Sequence, residues 1–290
     1  VMTLPLKFAT GLTLLVLTSS PGGSYPNWWC SLFNADLALS VSMTAISTIL
    51  SIVMLPLNLL LFTRFSYNTD VLHIIDWTAL FVALSVVIIA ISGGLYCSAN
   101  FHSRKFNKYS NKLGNAAGLL LIIFSATVTN TGDADTKIWS RHWSFYVAVA
   151  APCLGGLVLA TVLSTLLNLH RPERVTVAIE ACYQNVGIAT SLALAMFEGD
   201  DLNEAMGVPF FYGVVEAVFV GTYCLLAWKM NWTKAPSNAP LWQVIFTSYE
   251  VLEQEDKESM GSEVNLSDSA NLEHMEERNE NGFLTTYFNL

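Results

Sequence analysis

The sequence predicts an all-α polytopic membrane protein, and three observations carry that prediction. Of its 290 residues, 53% are hydrophobic and 13% are charged, with a mean hydropathy of +0.46; soluble domains carry about 25% charged residues. Apolar segments recur along the chain at close to the roughly 20 residues that a helix needs to cross a bilayer core. Lys and Arg gather in alternate connecting loops, as the positive-inside rule requires of one face of a membrane.

Taken in order, the spans are 2–19, 35–62, 71–96, 113–130, 144–169, 173–197 and 205–228. Between the first two lies Ser-Ser-Pro-Gly-Gly-Ser-Tyr-Pro-Asn-Trp-Trp (19–29), too polar and too broken for a simple helix. It is also a strange loop, because Trp28, Trp29, Leu32 and Phe33 are apolar. Irregular backbone sits at membrane depth only where protein or a water-filled cavity satisfies it. Pro56 should kink the second span. Residues 1–228 therefore read as the transmembrane domain. Residues 229–290 read as a polar, acidic tail with no sustained apolar period, expected to be disordered.

Orientation follows from the basic residues. Arg104, Lys105, Lys108 and Lys112 lie in one loop, Arg171 and Arg174 in a second, and Lys229 and Lys234 follow the last span. The opposite loops hold Arg64, then Lys137 and Arg141 beside Asp133 and Asp135, then the acidic run 198–204. The tail is thus expected in the cytosol and residue 1 on the outer side. The chain opens at Val1 and runs at once into apolar sequence, so we expect its beginning to be missing.

Charge and cysteine usage exclude other classes. From Lys229 onward eleven acidic residues face four basic ones, so −7 of the net −9 belongs to the tail. No basic patch with interleaved aromatics suggests nucleic acid. Cys30, Cys97, Cys153, Cys182 and Cys224 lie in or beside apolar segments without CxxC spacing, which reads as packing. The five histidines lack metal-ligand spacing, and neither a Ser/His/Asp set nor a phosphate loop is present, so no enzyme is expected.

Polar residues inside the spans carry the functional signal. Glu180, in Val-Ala-Ile-Glu-Ala-Cys-Tyr-Gln-Asn-Val-Gly (177–187), costs about 2.5–3.5 kcal/mol near a helix centre. A bound cation would offset that cost; a protonated carboxyl in a helix–helix hydrogen bond, or a proton relay, are the alternatives. In the second span Ser40, Thr44, Ser47 and Thr48 form one hydroxyl stripe at helical spacing. Such stripes also serve as plain interhelical glue. A hard cation takes several oxygens of mixed type, and here a carboxylate, an amide, hydroxyls and the freed carbonyls of two interrupted segments are all available. Pro21-Gly22-Gly23 supplies one interruption, and paired interrupted helices point to a transporter's binding site.

Three passages together resemble the sodium/bile acid symporter family: Pro21-Gly-Gly-Ser-Tyr-Pro-Asn27, Asp36-Leu-Ala-Leu-Ser-Val-Ser-Met-Thr44 with Ser47-Thr48, and Arg174-Val-Thr-Val-Ala-Ile-Glu180-Ala-Cys-Tyr-Gln184-Asn185. The resemblance runs from about residue 2 to residue 228. It implies an inverted-repeat transporter with two discontinuous crossing helices in a core domain, beside a smaller panel domain. The spans would match that plan's fourth to tenth helices, the first three being absent, so the chain is expected to be N-terminally truncated. The resemblance implies one Na+ site from Asn27, Ser40, Thr44 and Glu180, and a second from Glu180, Gln184 and the carbonyls of Ala181 and Tyr183. It places substrate against Pro21, Gly22, Gly23, Ser24 and Asn185. Where the family pattern has a Ser before the Asn, this chain has Pro26.

The function so implied is sodium-coupled symport of an organic anion, a bile acid, a steroid sulfate or a small organic acid, by alternating access. Proton coupling, a different anion, or a non-transporting regulator on the same scaffold are the alternatives. Tyr249-Glu-Val-Leu252 and Tyr287-Phe-Asn-Leu290 resemble endocytic sorting signals, so sorting adaptors and the plasma membrane are expected. The sequons at Asn231 and Asn265 fall on the expected cytosolic side and should be unused.

Overall fold

The computed structural model describes residues 6–23, 25–66, 77–100 and 138–247, with isolated positions between 109 and 127 and at 249. Ser24, the fourth expected span with the basic loop before it, and both tyrosine motifs beyond Tyr249 lie outside the described residues. The chain divides into two units, residues 1–238 and 239–290. All regular structure among the described residues is helical.

In the first unit the helices are α1 (Phe8–Ser19), α2 (Tyr25–Leu32), α3 (Leu37–Ser66), α4 (Trp77–Asn100), α5 (Trp143–Leu166), α6 (Arg171–Cys182), α7 (Val186–Met196) and α8 (Gly199–Lys229), with a 3-10 turn at Ile138–Ser140 before α5. The second unit holds α9 (Leu241–Phe246). Three of these, Leu37–Phe65, Trp143–Leu166 and Gly199–Lys229, are long and apolar enough to cross a membrane. Each buries only about a third of its apolar window inside the protein. On α3 the polar face is the buried one: Ser40, Thr44, Thr48 and Ser51 point inward, while Ile46, Ile49, Val53 and Leu57 are at least half exposed. A helix with apolar residues outside and hydroxyls inside is suited to lipid, not water.

Two elements differ from the sequence-based reading. The second half of the stretch 19–29 belongs to a true helix, α2, whose Trp29 packs on Phe33. The folded unit also runs past residue 228: the Trp228 Nε1–H donates to the Pro236 carbonyl at 2.9 Å, and the Lys234 N–H to the Asn34 carbonyl at 2.8 Å. The span expected at 173–197 is two helices, α6 and α7.

Helix ends follow local chemistry. Asn34, Asn168 and Asn231 adopt φ of 56–57° after α2, α5 and α8. Each is followed by an N–H bonding back five residues (Ala35 to Cys30, Leu169 to Ser164, Trp232 to Ala227), the left-handed stop that Asn tolerates better than other side chains. Asp36 caps α3 through Leu39 N–H at 2.9 Å. The order of elements repeats: helices of 12, 8 and 30 residues (α1–α3) and of 12, 11 and 31 residues (α6–α8) each pair a break with a long helix.

α5 runs along α6, and α1 packs against α3, α7 and α8. Gly156 makes the first contact close, since a Cβ there would lie 3.2 Å from the Ala181 carbonyl oxygen. At one end Lys7 pairs with Glu204, and Arg141 donates to the Asn203 and Glu204 carbonyls at 3.0 Å each while its Cζ lies 4.7 Å from the Phe145 ring centre. Burial pulls the Arg141 pKa below its ordinary value, with Glu204 opposing that shift.

Candidate functional site

The two breaks meet. After α1 the chain turns extended at Ser20 (ψ 151°), and after α6 it turns extended at Tyr183 (ψ 136°). Ser20 Oγ donates to the Leu17 carbonyl at 2.7 Å and accepts the Asn185 N–H at 3.1 Å, so one break satisfies a backbone donor freed by the other. This is how polar backbone survives away from water. Gly22 lies where a Cβ would come 3.3 Å from the Tyr183 carbonyl oxygen and 3.7 Å from that of Glu180. The absence of a side chain there lets the strands of the crossing touch.

Glu180 stands on the last turn of α6, 8% exposed. Ser40 Oγ donates to its Oε1 at 2.5 Å, and Thr44 Oγ1 lies 3.0 and 3.3 Å from its two oxygens. Asn27, on α2, donates its Nδ2–H to Thr44 Oγ1 at 3.2 Å, and its Oδ1 is buried without a donor. Asn27, Ser40, Thr44 and Glu180 are therefore one connected cluster drawn from α2, α3 and α6. Thr176, one turn before Glu180, sets the approach: its Oγ1 accepts the Asp36 N–H at 3.0 Å and donates to the Asp36 carbonyl at 3.1 Å. Ser47 and Thr48, the other members of the stripe, bond the Thr44 carbonyl of their own helix and do not join the cluster.

Gln184 and Asn185 occupy the second break. Gln184 Oε1 is buried without a donor. Asn185 caps α7, accepting the Ile188 N–H at 3.1 Å, and its amide faces Gly23, whose Cβ would lie 3.7 Å from Nδ2. Ala181 lies on the α6 face against Gly156, and the Tyr183 ring stacks on Tyr25 at 6.1 Å. Gly23, Tyr183, Gln184 and Asn185 share the wall of a cavity of about 510 Å³ with Tyr25, Trp28, Trp29 and Phe210. Pro21 is buried in the first break.

Sequence reasoning passed over Glu216. It lies within α8, is 0% exposed, and its Oε1 accepts the Gln184 N–H at 2.6 Å. The signal used for Glu180, an ionisable side chain inside an apolar span, was present at Glu216 too. Among the described residues no three His, Cys, Asp or Glu side chains gather as a transition-metal site would require. The chemistry on offer is two single carboxylates with neutral oxygens.

A model of the sodium bile acid symporter family matches residues 1–135. The ileal sodium/bile acid cotransporter of Mus musculus is 26% identical over 208 residues, covering 72% of this chain and 58% of its own length. Its Homo sapiens counterpart is 26% identical over 224 residues, covering 76% and 62%. The sodium-dependent organic anion transporter of Bos taurus is 27% identical over 231 residues, covering 79% and 59%. The chain thus spans about three-fifths of the length of these curated relatives. The family and these relatives are transporters, not enzymes, and with the apolar helices they make this an integral membrane protein that crosses the bilayer several times.

Proposed function

We propose that this chain, similar to sodium/bile acid symporters along most of its length, forms the ion-binding part of a secondary transporter that couples sodium entry to uptake of an organic anion. The observation that carries the reading is Glu180, a carboxylate buried among apolar helices with two hydroxyls against it, one of which also accepts the Asn27 amide. It makes no ion pair with Lys or Arg among the described residues.

The residues present fit a sodium ion. Asn27 Oδ1 and Gln184 Oε1 are buried acceptors without donors, each a cost of about 1–3 kcal/mol that a cation would relieve. Asn27, Ser40, Thr44 and Glu180 would hold one ion, and Glu180, Gln184 and the carbonyls of Ala181 and Tyr183 a second. A turn of the Asn27 amide would offer Oδ1 where Nδ2 now donates. When bound, sodium supplies a positive charge that neutralises Glu180.

The chain's own residues transmit that neutralisation. Glu180 sits one turn before the break, so its position and that of Tyr183–Asn185 are mechanically linked. Asn185 in turn orients α7 and lines the cavity with Gly23. The substrate surface is assigned to Pro21, Gly22, Gly23, Ser24 and Asn185. The aromatic walls from Tyr25, Trp28, Trp29 and Phe210 favour a bulky amphipathic anion, a bile acid or a steroid sulfate, over a small organic acid. Coupling of this kind is worth about 1–3 kcal/mol. The two broken helices are read as counterparts in an inverted repeat, moving as a core against the rest of the fold. The plasma membrane, with the acidic tail in the cytosol, is the location this reading favours.

Uptake of taurocholate, a sulfated steroid and pyruvate, measured in sodium medium and with choline replacing sodium at fixed pH, tests the proposal. Sodium-dependent uptake of an amphipathic anion, lost in Glu180→Gln, is the expected result. Uptake that survives choline replacement, or survives the Glu180→Gln change, overturns it.

A further inference from the structure

Glu216 is the second carboxylate buried at membrane depth, and nothing assigned to the first site uses it. Its Oε1 accepts the Gln184 N–H at 2.6 Å, while its Oε2 is buried with no partner. The titratable groups facing it are Cys153 on α5, Cys182 at the end of α6, Tyr183 in the break and Tyr212 one turn earlier on α8. None of these brings a positive charge. The Tyr212 hydroxyl donates elsewhere, to the Cys182 carbonyl at 3.2 Å. Among the described residues no Lys or Arg makes an ion pair with Glu216.

Gln184 presents the same condition from the other side, since its Oε1 is a buried acceptor without a donor. Both residues line the cavity beside the crossing, and the Gln184 N–H ties them together. Satisfying that freed N–H does not require a charge. A Gln at 216 would accept the same bond and bring its own donor to a site that has only acceptors. The ionisable group is therefore the feature that calls for a positive partner, because an unpaired charge in hydrocarbon is costly.

We infer that Glu216 takes up a sodium ion at Oε2, with Gln184 Oε1 as companion oxygen, so that the second ion proposed above draws on the α8 carboxylate and stays apart from the Ser40–Thr44–Glu180 cluster. The inference rests on reading the helix crossing as an ion site and extends it to α8, so that cavity-side charge is neutralised before an anion enters. Because Gln184 sits between the two carboxylates along the chain, occupancy at Glu216 and at Glu180 is linked through the Tyr183–Asn185 break.

The test uses the whole protein in lipid nanodiscs. The thermal midpoint is followed by intrinsic fluorescence during a sodium titration against choline at constant ionic strength, at mildly acidic and mildly alkaline pH. Wild type, Glu180→Gln and Glu216→Gln are compared. Glu216→Gln is expected to move the sodium midpoint to higher concentration at both pH values, within the roughly 5- to 150-fold range of linked sites. A wild-type sodium midpoint that shifts with pH, beside a Glu216→Gln midpoint that neither shifts nor lies higher, gives Glu216 a proton instead and overturns the inference. A Glu216→Gln protein matching wild type in both respects overturns the inference. Should Glu216→Gln fail to fold, Glu216→Asp decides, since its shorter reach must still move the sodium midpoint, and an unchanged midpoint overturns the inference. A Glu180→Gln protein that keeps the full wild-type sodium response overturns instead the proposed function, so the two failures are distinguishable.

Discussion

Thr44 is the hinge of the Glu180 cluster, and replacing it by Val keeps the branched shape while removing the hydroxyl. That hydroxyl shares its single proton between the two Glu180 oxygens, at 3.0 and 3.3 Å, and accepts the Asn27 Nδ2–H at 3.2 Å. A hydrogen bond to a charged group is worth about 1.5–3 kcal/mol, and a buried donor left unpaired at Asn27 adds a cost of about 1–3 kcal/mol. Ser40 still donates to Oε1 at 2.5 Å, so the net loss for Thr44→Val is set at about 2–4 kcal/mol. Glu180→Gln turns the same contact into a neutral one worth about 0.5–1.5 kcal/mol. A double-mutant cycle over Thr44→Val and Glu180→Gln should therefore show coupling of about 1 kcal/mol or more, above the roughly 0.3–0.5 kcal/mol scatter of independent sites. The assay is the thermal midpoint in sodium-free buffer, where 1 kcal/mol corresponds to about 2–4 °C in a unit of this size. Thr44→Ser, which keeps the hydroxyl, should recover most of the loss. Additive effects, or a Thr44→Ser as damaged as Thr44→Val, would refute the bonding scheme.

Gly22→Ala places a Cβ 3.3 Å from the Tyr183 carbonyl oxygen and 3.6 Å from Pro26 Cγ; the crossing must open by a few tenths of an ångström, and a loss of about 1–3 kcal/mol should appear as a lower thermal midpoint. Gly207→Ala would put its Cβ 2.7 Å from Arg141 Nη2, expelling the guanidinium from the Asn203 and Glu204 carbonyls; a loss of about 1–3 kcal/mol is expected, and adding Arg141→Ala to Gly207→Ala should cost much less than Arg141→Ala costs alone.

Much of this architecture was legible because a bilayer imposes one-dimensional rules. Apolar length marks the spans of α3, α5 and α8, and interruptions by Pro-Gly-Gly and by Gln184-Asn185 mark the breaks, since a helix in lipid cannot lose backbone hydrogen bonds without a structural reason. Glu180 stood out by its cost in hydrocarbon alone. The same rules missed α2, because its polar residues lower local hydropathy while one of its partners, α6, is distant in sequence. They also stopped the fold at residue 228, where polar sequence begins, although the Trp228 and Lys234 bonds carry folded structure onward.

Composition and helical period are local properties, so they mark which residues are too polar for lipid and which face of α3 holds hydroxyls. Packing between helices brings Ser40 and Thr44 to Glu180 while Ser47 and Thr48 turn back on their own helix, and it sets Glu216 against the N–H freed at Gln184. Those pairings join residues 140, 136 and 32 positions apart. The angle and depth at which two helices pack select them, and no periodicity along one chain segment encodes either quantity.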